Sequence, residues 1–145
     1  MGSDLEETKD QRTGWKAIVN SPQRPQWQAS IFKIPHHGSI NGHSDQVWSE
    51  MLINDPISLL TSKIGGRESI PKKSDIERIK NFSPYVFCTK VPKGKKIKRK
   101  NTVEKMLKGT VKERHILDGR IGQIQLRFSE SKNFEVNCLS PATSL

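Results

Sequence analysis

Ile31-Phe32-Lys33-Ile34-Pro35-His36-His37-Gly38-Ser39 is the stretch on which the reading turns. Residues 29–34 form an apolar run short enough for a strand, and Pro35 ends it because proline cannot donate a ladder hydrogen bond. The strand delivers two histidines into the polar loop HHGSINGHS. Imidazole is the commonest metal ligand near neutral pH. Loops at the C-terminal ends of strands are where open α/β sheets place their sites. Spacing alone makes this a weak signal. Neighbouring side chains on an extended chain point to opposite sides, so one ion rarely takes both. A loop histidine bonded to backbone is the plain alternative, and His43 reads best as a solvated loop residue.

Outward from the loop, helical and strand patterns alternate. Before it, residues 13–20 (TGWKAIVN) predict a helix with Trp15, Ile18 and Val19 on one side, broken by Pro22 and Pro25. After it, Ser44 is placed to cap a helix over residues 45–53 that buries Val47, Trp48, Met51 and Leu52. Residues 57–61 predict a strand. Ser74 and Glu77 have capping-box spacing before a helix that presents Ile76, Ile79 and Phe82. Residues 85–89 (YVFCT) predict a strand, and a short helix is expected over residues 102–108. Residues 119–128 and 133–139 alternate apolar and polar side chains as a hairpin does. The tail after Ser140, residues 141–145, is expected to be loose. This order argues for an α/β layered fold. Neither an internal repeat nor a Gly-rich phosphate loop is present.

Composition narrows the classes. Of 145 residues, 32% are hydrophobic. The core is therefore modest, below the roughly 45–50% apolar content of ordinary domains even when glycine is counted. No run approaches the about 20 apolar residues of a membrane-spanning helix. The polar, acidic start MGSDLEETKD lacks the basic-then-apolar pattern of a secretory signal. Cys88 and Cys138 are too few for a disulfide framework and sit in apolar strand-like runs, so reduced thiols and a cytoplasmic setting are expected.

The net charge is +10 and it is concentrated. Between Lys90 and Arg114 stand eleven basic residues against Glu104 and Glu113, which leaves about +1 for the rest. The dense part contains Lys93, Lys95, Lys96, Lys98, Arg99 and Lys100. Such a block is either a solvated loop or a contact for nucleic acid or another polyanion, where counterion release supplies the affinity. No aromatic residue interleaves it, so base stacking is not indicated.

The sequence IFKIPHHGS resembles the last metal-binding motif of metallo-β-lactamase-fold hydrolases. The nearest branch holds the hydrolase domain of bacterial DNA-uptake channel proteins and the choline-phosphate esterases. In that branch HHGS is followed by a helix, a P-x-x-x-[IVL][IL]-[ST] strand, a helix and a [VY]-[FY]-x-T strand. Here Asp55-Pro56-Ile57-Ser58-Leu59-Leu60-Thr61-Ser62 and Tyr85-Val86-Phe87-Cys88-Thr89 stand at the matching places, and Asp118-Gly119-Arg120-Ile121 opens the closing hairpin. Gly2-Ser3-Asp4-Leu5-Glu6 resembles the family's G-D-[LIV]-E turn, with Asp4 33 positions before His37.

The resemblance implies an α/β fold that is half of an αββα sandwich, a mixed sheet with helices on one face, over residues 1–140. It implies Asp4 as a carboxylate bridging two zinc ions and His37 as a terminal ligand. Manganese or iron would suit the same donors. His36 would face the site and hydrogen-bond a leaving or non-bridging oxygen. The family's H-x-H-x-D-H motif is absent from these residues, and Ile70-Pro71 keeps the proline of the branch's [GY]-H-P turn without its histidine. A catalytic zinc takes about three protein ligands, and Asp4 and His37 make two. The chain is therefore expected to be a C-terminal half, whether fragment, split-gene product or partner of a second chain. It would hydrolyse phosphodiester or ester bonds once completed. The alternative is a non-catalytic half-domain that binds a partner chain, or nucleic acid through residues 93–100.

Overall fold

The computed structural model describes residues 4–63, 69–90, 100–110, 122–129 and 134–145. In chain order they form α1 (Gly14–Val19), β1 (Ala29–Lys33), two 3-10 turns (His36–Gly38 and Ile40–Gly42) and a π-helical turn (Val47–Met51). There follow β2 (Leu52–Leu60), α2 (Lys73–Phe82), β3 (Tyr85–Cys88), α3 (Asn101–Thr110), β4 (Gln123–Phe128), β5 (Phe134–Leu139) and β6 (Thr143–Ser144). The fold is mixed α/β. A four-stranded sheet runs β1-β2-β3-β6, and β4 pairs with β5 in a separate hairpin. β1, β2 and β3 are mutually parallel, while β6 is antiparallel to β3.

The register sets the two faces. Phe32 pairs with Ser58 and Ser58 with Val86, so these three share a face with Leu60 and Cys88. That face meets the helices. Trp15 and Val19 of α1, Val47 and Trp48 of the π turn, and Ile79 of α2 join Ile34, Leu52, Leu60, Val86 and Cys88 in one core cluster. The partly buried Phe32 packs against this cluster, 6.2 Å from Trp15 and 5.1 Å edge-on to Trp48, which stacks on Phe82 at 5.1 Å. The opposite face carries Ile31, Ile57, Leu59, Tyr85 and Phe87, with Tyr85 edge-on to Phe134 of the hairpin at 5.6 Å. Burying a Leu, Ile or Val side chain contributes about 1.5–3 kcal/mol, so the helix-covered face carries most of the stability.

Four expectations change in detail. Val47, Trp48, Met51 and Leu52 have helical spacing, but the helix stops at Met51. Leu52 pairs with Ala29 as the first residue of β2. Between the Ala29–Leu52 and Ile31–Ile57 pairs the register slips, and Asp55 takes a left-handed φ of 57° in the bulge. Tertiary pairing overrides helical periodicity there. At the start of the π turn it is the Ser44 backbone carbonyl, not its hydroxyl, that accepts from Val47 N–H. At the start of α2 it is Asp75, not Glu77, that accepts the Lys72 N–H, at 3.0 Å. The tail also differs: β6 closes the sheet, Leu145 N–H donates to the Val86 carbonyl at 2.9 Å, and Leu145 packs on the core. No helix among the described residues is long and apolar enough to cross a membrane.

Candidate functional site: the histidine loop

β1 ends at Lys33, and Ile34 is still tied to β2 through its N–H on the Leu59 carbonyl at 2.9 Å. The chain then turns abruptly. His36, His37 and Gly38 all have positive φ, at 48°, 55° and 80°. Non-glycine residues in this region cost about 1–3 kcal/mol each and persist only where the surroundings fix them. Here the surroundings do so. Gly38 N–H donates to the Pro35 carbonyl at 2.9 Å and Ser39 N–H to the His36 carbonyl at 3.1 Å. Gly38 is buried so tightly that a Cβ would lie 2.8 Å from Leu60 Cδ1 and 3.0 Å from Ile79 Cδ1. Its carbonyl accepts from Arg78 Nη2 at 2.7 Å, and Arg78 Nη1 is held by Asp75 at 2.8 Å.

The hydrogen bonds also assign tautomers. His37 Nδ1 lies 3.0 Å from the Thr61 carbonyl. A carbonyl only accepts, so Nδ1 carries the proton and Nε2 of the neutral ring presents a lone pair. This is the arrangement in which a backbone carbonyl orients a metal-binding histidine. His36 differs. Its Nε2 lies 3.1 Å from Glu6 Oε1 and its Nδ1 2.6 Å from Ser39 Oγ. The carboxylate accepts, so Nε2–H donates to Glu6, and in the neutral ring Nδ1 accepts from the Ser39 hydroxyl. Both nitrogens are engaged, which keeps His36 at the rim of the site. His43 is engaged likewise: Nε2–H donates to Asp45 at 3.0 Å, and Nδ1 accepts Trp48 Nε1–H at 3.3 Å.

Asp4 lies exposed in a turn. Glu6, two residues on, is the carboxylate that reaches the loop. Among the described residues no three His, Cys, Asp or Glu side chains gather as a metal-holding group. His37 thus fits a single terminal ligand, and the described residues do not make a whole centre. Of the six basic residues singled out, Lys93, Lys95, Lys96, Lys98 and Arg99 lie outside the described residues, and Lys100 is exposed just before α3.

Sequence reasoning missed Glu6 as a partner of His36, Ser39 as a donor to it, and the Asp75–Arg78 pair behind Gly38. Two of these had a spacing signal: Ser39 is i+3 from His36 across a turn, and Asp75 and Arg78 are i,i+3 on a helix. No family model, no curated protein and no solved structure matches this chain.

Proposed function

We propose that this chain is the C-terminal half of a metal-dependent hydrolase of the metallo-β-lactamase type, acting on phosphodiester or ester bonds when the rest of the metal site is supplied from outside these residues. The observation that carries the reading is His37. It stands at the C-terminal end of a sheet strand, in a strained turn, with Nδ1–H fixed on Thr61 and the Nε2 lone pair presented. Strain concentrated on a ligand-type residue is a mark of functional sites.

His37 is assigned one terminal metal position and Asp4 the bridging carboxylate. Zinc, when bound in the completed site, would supply an activated water and charge stabilisation for the departing oxygen. This chain's own contribution is to orient His37 through Thr61 and to set His36 beside it. For His36 to hydrogen-bond a substrate oxygen, its Nε2–H must leave Glu6, whose side chain is half exposed.

Zinc titration followed by imidazole NMR tests the reading. The chain is expected to bind zinc only weakly, with His37 as the responding ring. A silent His37 up to millimolar zinc would remove the assignment. A stoichiometric submicromolar site would show instead a self-contained centre. In the completed protein, His37→Ala and Asp4→Asn should each abolish metal-dependent hydrolysis.

A second reading is favoured by charge. Lys100, Lys105 and Lys108 are all exposed on or beside α3, in the segment that carries most of the net charge. A polyanion-binding half-domain would use that segment without sequence preference, since lysines act as point charges on phosphates.

A further inference from the structure

We infer that Arg78 is a positioning residue for His37: braced by Asp75, its guanidinium holds the Gly38 peptide and so sets the presentation of the His37 imidazole. The inference rests on the proposed ligand role of His37 and names what fixes that ligand.

Arg78 and Asp75 have side chains only 19% and 9% exposed, so the pair is largely removed from water. Asp75 is tied twice, accepting Lys72 N–H at 3.0 Å through Oδ2 and Arg78 Nη1 at 2.8 Å through Oδ1. It therefore ties the guanidinium to the first turn of α2. The other end of the fork, Nη2, donates to the Gly38 carbonyl at 2.7 Å. That carbonyl follows the two left-handed histidines directly.

The ring of His37 is thus fixed from two directions. Thr61 on the β2 side takes its Nδ1–H, and Arg78 on the α2 side holds the Gly38–Ser39 peptide, one beyond the His37–Gly38 peptide. Either restraint alone leaves a rotation open: the ring about its own bonds, or the peptide about φ and ψ. Among the described residues Arg78 directs its hydrogen bonds to Asp75 and to the Gly38 carbonyl, and its Nε has no partner there. A planar fork that reaches a carboxylate on one side and a carbonyl on the other is a geometric task that arginine performs and lysine does not.

The test compares the unsubstituted 145-residue chain with Arg78→Met, which keeps the aliphatic stem and removes the fork. Imidazole ¹⁵N NMR reads the tautomer of each histidine, and zinc titration reads the affinity at His37. In Arg78→Met the His37 ring should shift from the Nδ1–H form toward a mixture. Its zinc affinity should fall about tenfold, the low end for loss of a residue that orients a metal ligand. His43, held by Asp45 and Trp48, should keep its tautomer in the same spectra.

An unchanged His37 tautomer and zinc affinity would overturn the inference. So would an equal disturbance of His37 and His43, which would mark Arg78 as a general structural brace. If Arg78→Met does not fold, Asp75→Asn decides, because it loosens the brace while keeping the guanidinium. The same selective shift at His37, in smaller measure, is then expected, and no shift refutes. If wild-type His37 ignores zinc, the proposed function fails, while the tautomer comparison still decides the role of Arg78.

Discussion

Residues 36–42 and helix α3 carry the chain's clustered histidines and lysines, and they are built in opposite ways. The loop is fixed by Pro35, Thr61, Arg78 and the close approach of Leu60 and Ile79 to Gly38. α3 leaves Met106 75% and Val103 43% exposed. Chemistry at a single atom requires a ring held in one orientation, and the loop spends backbone strain to obtain it. Attraction between charges requires only that lysines be near a surface, and an exposed helix suffices. A site of the first kind is sensitive to neighbouring core residues. A site of the second kind is sensitive to salt and charge number.

The contrast can be broken by substitution. Leu60→Ala should have the largest effect, about 3 kcal/mol of lost stability, because Leu60 is fully buried beneath the loop and the cavity cannot easily collapse. Urea denaturation measures it, and a loss under about 1 kcal/mol would mean the loop is not seated on the core as described. Gly38→Ala should cost about 2 kcal/mol, from its left-handed φ and the contact with Leu60 and Ile79 together. A neutral result would sink the claim that the turn is tightly held.

On the other side, Lys95→Gln, Lys96→Gln, Lys98→Gln and Lys100→Gln combined should remove most polyanion binding and leave the unfolding midpoint unchanged. Filter binding across a salt series decides this, since a parent that ignores salt would refute the electrostatic reading. Met106→Ala should change stability by less than about 0.5 kcal/mol, and a larger loss would show that α3 is packed rather than exposed.

The smallest effect belongs to Asp10. The side chain of Arg12, and then its backbone N–H, hold the Asp10 carboxyl below the usual carboxylate range. A group lowered on folding contributes above its unfolded pKa and loses that contribution as pH falls through the folded value. Arg12→Gln should raise the Asp10 midpoint in a carboxyl NMR titration, with stability nearly unaltered at so exposed a pair.

Local signals carried the strands and helices well. The apolar run before Pro35 became β1, and of the alternation read over residues 119–128 and 133–139 the described part became β4 and β5, because each pattern concerns neighbours in sequence; residues 119–121 and 133 lie outside the described residues. Leu52 was misread because its helical spacing lost to pairing with Ala29, 23 residues away. The His36–His37 pair was legible, but not that one ring would present a lone pair and the other none. That difference comes from Thr61, Glu6 and Ser39, two of them distant in sequence. Arg78 lies 41 positions after His37 on an amphipathic helix, where a partly buried arginine and an exposed one look the same in sequence.

The bond between Trp48 and His43 gives the protein an optical reporter. His43 Nδ1 can accept the indole N–H only while that nitrogen is unprotonated, and the indole is stacked on Phe82 with His43 5.1 Å from the same ring. Once the exposed Trp27 is replaced by Phe, tryptophan emission should therefore report whether the Trp48–His43 contact is kept, against the background of Trp15, whose Nε1–H rests on the Gly42 carbonyl.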